Sequence, residues 1–312
     1  MVAEMVGTVL MLQAVLLGLL ASEVIFYAWL GNFLGERGVS GLAITASLLL
    51  MALLWRLSHA LISFLITAAL RWRDDRALPW ANSMAALTSE IIARAICFNW
   101  SQAFPQIALG DDPCGARSGT PILLVHGYLS NRGLWITFRR RLAAAGLGPI
   151  YTLTLTPVFG AIDALVPSLD ARVEAICAET GAAGLMIVAH SMGGLVVRSY
   201  LAQFRSSRVV RLVTLGSPHH GTQQARWGLG INVGQMRVAS NWLQALAVRE
   251  SGAAASTPPP NTLSIYTLND DLVYPPESSV LAWAENLPVS AIGHMGLVFS
   301  DSVANSVIRH LR

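Results

Sequence analysis

Residues 185–194 of this 312-residue chain read Leu-Met-Ile-Val-Ala-His-Ser-Met-Gly-Gly, and this stretch decides the fold. Its first five residues form an apolar run typical of a short buried strand, and the residues after the serine follow a helical pattern. Ser191 therefore lies at a sharp turn between a strand and a helix, where neighbours larger than Ala189 and Gly193 would clash. An ordinary serine cap of a helix is the alternative, but a cap does not need small residues on both sides. We therefore identify Ser191 as a candidate nucleophile.

Short apolar runs alternate with amphipathic stretches on both sides of this turn. The pattern predicts strands at 121–125, 149–155, 185–189, 209–215, 263–268 and 289–292, and helices at 78–97, 130–145, 162–179, 192–204 and 298–311. Continuous apolar strands that alternate with helices are typical of a parallel sheet covered on both faces. In such a sheet, the reacting groups lie at the carboxyl ends of the strands. The sequence therefore predicts an α/β fold with its functional site at that edge.

Residues 189–193 (AHSMG) resemble the nucleophile elbow of the α/β-hydrolase fold, in the variant of small bacterial lipases that has alanine at the first position. The resemblance covers about residue 121 to the C-terminus and says nothing about residues 1–70. It implies a doubly wound, mostly parallel sheet. It also implies a catalytic serine, acid and histidine in that chain order.

The resemblance indicates His294 as the base and Asp270 as the acid. Residues 292–297 (IGHMGL) match the G-H-x-G-L pattern of small bacterial lipases, just after a predicted strand. Residues 269–275 (NDDLVYP) contain two adjacent carboxylates, and the D-x-x-V-x-P pattern of the family indicates the first of them. We expect Asp271 to be its solvated neighbour. The remaining histidines lie in the apolar N-terminal region, before the expected acid, or on the last helix: His59, His126, His190, His219, His220 and His310.

The predicted strand at 121–125 runs into His126-Gly127-Tyr128, where lipases of this fold place an oxyanion loop. The resemblance implies that the backbone N–H groups of Tyr128 and Met192 form the oxyanion hole. Gly127 allows the backbone to approach closely, and we expect His126 to hold the loop in place without acting as a base.

Two later segments also resemble parts of lipases. Residues 216–222 (GSPHHGT) match a loop whose histidines we expect to shape it, and its lack of a carboxylate supports an acid one strand later. Residues 223–256 lie where the fold inserts a lid, and either a short amphipathic lid or a surface helix fits their pattern. The sequence has no cluster at metal-ligand spacing and no CxxC among its three cysteines, so we expect no metal and no cofactor.

Residues 1–70 carry only five of the 39 charges of the chain, which marks a domain boundary. Residues 5–22 form a first apolar stretch, which would span the bilayer fully if it ran on through 24–30, and residues 41–70 form a second after a glycine-rich turn. Together they predict a helical, transmembrane hairpin. We therefore divide the chain into a membrane anchor over 1–75 and a catalytic domain over 76–312. A buried hairpin and a cleaved signal peptide are the alternatives, although a signal peptide normally starts with positive charge.

The second apolar stretch is too long for an upright span. It therefore tilts, or it continues past Arg56 along the interface or onto the next domain. Arg56 either pairs with Glu23 or lies with His59 at the membrane surface, and we favour the surface position.

Charge and composition limit the partners and the location. A chain with 54% hydrophobic and 12% charged residues is neither disordered nor typical of a fully soluble enzyme. A net charge of +3 without a basic block disfavours nucleic acid as a partner. Basic residues after the second stretch place both chain ends and the catalytic domain in the cytoplasm by the positive-inside rule, as in a protein of the bacterial inner membrane. These residues are Arg71, Arg73, Arg76 and Arg94.

Together these features predict a membrane-anchored serine hydrolase that cleaves carboxylic esters through an acyl-enzyme. We expect a hydrophobic ester or lipid as substrate and the lipid bilayer as partner. The same triad serves thioesterases, amidases and acyltransferases, which therefore stay open. A membrane scaffold with a degenerate hydrolase domain is an alternative of another class, disfavoured by the intact serine, aspartate and histidine.

Overall fold

Six strands form a single sheet in the computed structural model, which describes residues 2–115, 119–204, 208–254 and 259–312, with side chains of the first helix from Leu12 onward. The strands are β1 Ile122–Val125, β2 Ile150–Leu153, β3 Leu185–His190, β4 Val209–Leu215, β5 Asn261–Thr267 and β6 Glu285–Val289. They lie in the order β2-β1-β3-β4-β5-β6, and every neighbouring pair is parallel. The predicted parallel sheet is therefore confirmed.

Helices precede, connect and follow the strands. The described helices are α1 Val2–Glu36, α2 Gly41–Arg73, α3 Trp80–Ile96, α4 Pro105–Leu109, α5 Ile136–Ala144, α6 Ile162–Thr180, α7 Met192–Phe204, α8 Ile231–Gln235, α9 Asn241–Ala254, α10 Gly296–Phe299 and α11 Asp301–Leu311. α7 begins directly after β3 and Ser191, as the sequence predicts.

The side chains of each central strand alternate between two apolar layers. Leu123 and Val125 of β1 pack with α6 and α7, whereas Ile122 and Leu124 pack with α5 and α11 on the opposite face. Because both faces are buried, these strands read in the sequence as continuous apolar runs. Helices on both faces leave the carboxyl edge of the sheet open for the site.

The last strand differs from the prediction of a strand at 289–292. β6 comes earlier in the chain and lies at the edge of the sheet, where Pro288 is tolerated because one side of the strand has no partner. The chain then turns at Ala291, which has a φ of 63° and donates its N–H to the Asn269 side chain at 2.9 Å. The polar residues of this half-exposed strand gave no apolar run to detect.

α1 and α2 form an antiparallel hairpin that is apolar on its outer surface. Leu12–Glu36 and Gly41–Arg73 are long and apolar enough to cross a membrane, on length and composition alone. Large exposed side chains on the hairpin include Leu19, Val24, Ile25, Leu42, Leu49, Leu50, Leu53, Leu54 and Leu65.

α2 is one continuous helix of 33 residues, about 50 Å long at ~1.5 Å per residue. Its last turns pack on the α/β domain through a buried stripe at Ala60, Ser63, Thr67 and Arg71. The helix therefore continues onto the next domain, one of the outcomes expected from its length. The predicted anchor and catalytic domain touch across the boundary at residue 75.

Arg56 pairs with Glu23, the arrangement that the sequence analysis did not favour. Its guanidinium donates two hydrogen bonds to the Glu23 carboxylate, at 2.6 and 3.1 Å, and Tyr27 Oη donates a third at 2.6 Å. The two bonds from Arg56 join α2 to α1 about midway along the hairpin.

Candidate active site

Ser191 lies at the carboxyl end of β3 with a φ of 55°, a left-handed conformation that is costly for a residue with a side chain. Its N–H donates to the Leu215 carbonyl at 2.9 Å, which ties the turn to the end of β4. A side chain at Gly193 would place its Cβ 2.6 Å from the His126 carbonyl oxygen. The small residue is therefore required because the loop after β1 passes directly over the turn.

Asp270 and His294 form a buried pair. Asp270 Oδ2 lies 2.9 Å from His294 Nδ1, and both side chains are about 2% exposed. The other carboxylate oxygen of Asp270 accepts the backbone N–H groups of Leu272 and Val273, at 2.9 and 2.7 Å. The carboxylate is thereby held with one oxygen facing the imidazole, and Nε2 is the ring nitrogen left for proton transfer.

Three carboxylates raise the pKa of His294. Burial by itself would lower the pKa of the imidazole, but the charges of Asp270, Glu90 and Asp271 and the hydrogen bond to Asp270 outweigh it. Because the neutral form acts as a base, activity through His294 requires a pH above that raised pKa.

His190 packs against His294, with 4.7 Å between the ring centroids. Burial and the nearby His294 lower the pKa of His190 well below its usual range, so its ring is neutral. Its Nε2 lies 3.2 Å from the His294 carbonyl oxygen and donates to it, which helps to hold the loop.

The loop after β1 lies against the Ser191 turn. A Cβ built on Gly127 would lie 2.7 Å from Ser191 Cβ and 3.2 Å from the Met192 N atom. The Met192 N–H is at the first turn of α7, where helices leave N–H groups without an intrahelical acceptor. Among the described residues, none accepts the Tyr128 N–H in a hydrogen bond. Met192 thus directly follows the serine, and Tyr128 directly follows the glycine that abuts it.

His126 holds this loop as expected. Its Nε2 accepts the Leu155 N–H at 2.9 Å, so Nδ1 carries the proton and donates to the Gly127 carbonyl at 2.8 Å. Burial lowers the pKa of His126 to about 4, which keeps the ring neutral. The remaining predicted loop histidines have similar structural contacts: His219 Nε2 lies 3.1 Å from Thr214 Oγ1, and His220 Nε2 lies 3.0 Å from the Val280 carbonyl oxygen.

The expectation of a solvated Asp271 is wrong. The side chain is fully buried, and its carboxylate accepts hydrogen bonds from Ser63 Oγ at 2.6 Å, from Arg94 at 2.5 Å and from the His294 N–H at 3.2 Å. The reason is tertiary, since α2 and α3 cover this loop. A sequence read strand by strand has no means of placing α2 there.

Glu90 and Arg94 of α3 are functional candidates that the sequence reasoning missed. Glu90 is fully buried; one of its oxygens accepts the N–H groups of Met295 and Gly296, at 2.7 and 3.1 Å, and the other accepts Arg94 Nε at 2.8 Å. Burial, followed by the charge of Asp271, raises the pKa of Glu90 to about 7. Two acidic residues joined by one arginine thus hold three successive N–H groups of the loop that carries His294.

Signals for this network do exist in the sequence. Glu90 and Arg94 are spaced i, i+4 in a predicted helix, and Ser63, Thr67 and Arg71 recur at helical spacing on an otherwise apolar stretch. Polar residues at such spacing on an apolar helix indicate a face that packs on a polar partner.

Among the described residues, no group of three or more His, Cys, Asp or Glu side chains could hold a metal ion.

A cavity of about 960 Å³ opens at Ser191 and His294. One part extends along the hairpin, and another lies under residues of the predicted lid, including Trp227, Val233 and Met236. α9, later in that segment, packs on α7, where Arg198 and Glu250 form an ion pair at 2.7 Å. The segment thus contains both a cavity wall and a surface helix, and residues 255 and 256 at its end lie outside the described residues.

Comparison with known proteins indicates the fold of this chain and the broad class of enzyme that it resembles. A family model described as palmitoyl protein thioesterase matches residues 121–252. Triacylglycerol lipase 2 of Saccharomyces cerevisiae is 29% identical over 163 residues, which are 50% of this chain and 46% of the yeast protein. The chain therefore spans about half the length of that curated relative.

Solved lipases share the architecture. Bacillus licheniformis lipase BlEst2 in mature form superposes with a TM-score of 0.55 at 18% identity, over 64% of this chain and 96% of the lipase. Aspergillus fumigatus lipase B superposes with a TM-score of 0.52 at 17% identity, over 61% of this chain and 52% of the lipase. The chain therefore has the α/β-hydrolase fold, and in sequence it resembles lipases and thioesterases.

Proposed function

We propose that this α/β-hydrolase is a membrane-anchored serine hydrolase that cleaves carboxylic esters of hydrophobic acids. The observation that carries the proposal is the buried Asp270–His294 pair, which lines the same cavity as a serine in a strained strand-to-helix turn. Ser191 lines the cavity, and a histidine paired with a carboxylate in the same cavity is the kind of base that a serine nucleophile requires.

In the first half of the reaction, Ser191 Oγ attacks the ester carbonyl carbon as His294 takes the hydroxyl proton. The carbonyl π electrons move to the oxygen, whose negative charge accepts hydrogen bonds from the Tyr128 and Met192 N–H groups. The tetrahedral intermediate collapses, the C–O bond to the alcohol breaks, and the alcohol leaves with the proton from His294. Ser191 then carries the acyl group as an ester.

The second half repeats these steps with water. His294 takes a proton from a water molecule as the water oxygen attacks the acyl carbon. The same N–H groups stabilise the oxyanion, and Ser191 Oγ leaves with the proton. The carboxylic acid is released and the enzyme is restored. Asp270 keeps the imidazole in the required tautomer and stabilises its protonated form throughout.

Glu90 acts in this scheme as a positioning residue. It touches neither the substrate nor the reacting atoms, but it accepts the N–H groups of the two residues that follow His294. Because proton transfer depends on the placement of the ring, the hydrogen bonds from this loop to Glu90 contribute to catalysis through His294.

Labelling with a fluorophosphonate probe tests the proposal. Wild-type protein in detergent-solubilised membranes should be labelled, and Ser191→Ala should not. Ser130→Ala is the matched control, because Ser130 is a buried serine lining the same cavity and its hydroxyl has no hydrogen-bond partner among the described residues. A folded wild type that resists the probe would overturn the proposal and favour the scaffold alternative.

Thioester hydrolysis is the second candidate, favoured by the match of residues 121–252 to the palmitoyl protein thioesterase model. The same serine, histidine and oxyanion donors would act on a thioester, with a thiol as the leaving group. Rates on an oxoester and a thioester with the same acyl chain separate the two. A kcat/KM that is higher for the thioester by tenfold or more would assign the thioesterase activity.

We assign the hairpin to the membrane on the basis of its two long apolar helices and their exposed outer surface. A protein so anchored stays in the pellet when membranes are washed with alkaline carbonate and is released by detergent. Release by carbonate alone would favour the buried-hairpin alternative.

A further inference from the structure

The hairpin helices line the cavity that holds Ser191. Leu16 and Leu20 of α1, Met51, Ile62 and Ile66 of α2 and Phe98 after α3 all face it. The helices predicted as an anchor therefore form a wall of the candidate active site, and the side chains just named make much of this wall apolar.

Hydrogen bonds set the position of α2 relative to the triad. Ser63 Oγ donates to the Asp271 carboxylate at 2.6 Å, and Thr67 Oγ1 donates to the Asp271 carbonyl at 3.1 Å. Ile62 and Ile66 adjoin these two residues, so the wall begins near Asp271, which follows Asp270 in the chain. From Ile66 the wall follows α2 to Met51, a distance of about 22 Å at ~1.5 Å per residue.

The charged groups on this wall are already paired. Arg56, Glu23 and Tyr27 line the cavity, but Arg56 of α2 and Tyr27 of α1 both donate hydrogen bonds to the Glu23 carboxylate of α1. A pair satisfied in this way has little need of a polar ligand, and it holds the two helices side by side. The ligand that fits such a wall is a hydrocarbon chain.

We propose that the inner face of the hairpin is the binding site for the long acyl chain of the substrate. The inference rests on the proposed function and adds where the chain lies. Each methylene of an extended chain advances about 1.3 Å, so 22 Å of wall accommodates an acyl chain of roughly 16–18 carbons. The hairpin is then part of the substrate-binding site, and the exposed outer surface of the same helices faces the membrane lipids.

Two fluorophosphonate probes test this inference, one with a short ethyl group and one with a 16-carbon alkyl chain. Met51→Trp narrows the far end of the wall, and Leu20→Trp narrows the α1 side. Leu50→Trp is the matched control for the first variant and Ile25→Trp for the second, because Leu50 and Ile25 are 56% and 69% exposed on the outer surface and do not line the cavity.

The wild type should react with the long probe at least tenfold faster than with the short one. Met51→Trp and Leu20→Trp should lose that preference while they react with the short probe at the wild-type rate, which also shows that they are folded. The two control variants should keep the preference.

Unchanged long-probe rates in both inner-face variants, with normal short-probe labelling, would overturn the hairpin site and leave the serine hydrolase proposal standing. A wild type that reacts with neither probe would overturn both. If one inner-face variant fails to react with either probe, the result from the other decides.

Discussion

Replacement of Glu90 by glutamine perturbs the loop that carries His294 without changing the volume of the side chain. The amide has one oxygen in place of two, whereas Glu90 accepts hydrogen bonds on both oxygens, from Arg94 on one and from the Met295 and Gly296 N–H groups on the other. Either Arg94 or the two backbone N–H groups will therefore face the amide NH₂ group, so that a donor faces a donor. The charge that helps to raise the pKa of His294 also disappears.

The magnitude follows from the bonds lost. A hydrogen bond to a charged group contributes about 1.5–3 kcal/mol, so loss of the hydrogen bonding at one carboxylate oxygen should reduce the free energy of unfolding by roughly 2–3 kcal/mol. That loss corresponds to a fall in Tm of about 4–12 °C for a domain of this size. Since misplacement of a catalytic group by about 1 Å can reduce the rate up to ~100-fold, we expect the plateau kcat to fall by about 10- to 100-fold.

The pH profile separates the charge effect from loosened packing. Because the charge of Glu90 is one of those that raise the pKa of His294, the Glu90→Gln replacement should lower this pKa. The base works when neutral, and kcat/KM rises with pH through that pKa. The acid limb of the Glu90→Gln profile should therefore move to lower pH.

Ser89→Ala is the control for this experiment. Ser89 Oγ accepts the Gly293 N–H at 2.9 Å, so its loss loosens the same loop without removing a charge. Hydrolysis of a p-nitrophenyl butyrate substrate, measured from pH 5 to 9, should show a lower plateau for both variants and a shifted acid limb for Glu90→Gln alone. A Glu90→Gln enzyme with the wild-type plateau and the wild-type acid limb would refute the positioning role.

Three further predictions test the site and the topology. Asp270→Asn should reduce kcat by about 10³–10⁴-fold while the protein stays folded, because the amide does not hold the required His294 tautomer; a loss below tenfold in single-turnover hydrolysis would reassign the acid. Gly127→Ala would place a Cβ 2.7 Å from Ser191 Cβ, so kcat should fall at least ~100-fold, and wild-type rates would show that this loop does not abut the serine. Cys114 is exposed whereas the other two cysteines are buried, so it should react with a membrane-impermeant maleimide. If the domain is cytoplasmic, labelling should require permeabilised cells, with Cys114→Ser as the control, and labelling of intact cells would contradict the cytoplasmic orientation.

Local patterns determined the central part of the fold. The strands β1, β3 and β4 are apolar runs because they are buried on both faces, and the small residues around Ser191 mark a turn that larger side chains would not permit. A prediction from spacing therefore succeeds where a single residue type meets a local steric requirement. It fails at β6, where an edge strand is half-exposed and carries no apolar run.

The surroundings of His294 were decided by tertiary structure. The chain order of the candidate triad could be predicted without any knowledge of tertiary contacts. The structure adds that the Asp270 carboxylate lies against the His294 ring. The burial of Asp271, the role of Glu90 and the cavity wall formed by the hairpin all depend on α2 and α3 folding back over loops some 200 residues later in the chain. No local pattern carries that information, because packing between distant segments is set by the shape and charge that each presents only after it has folded.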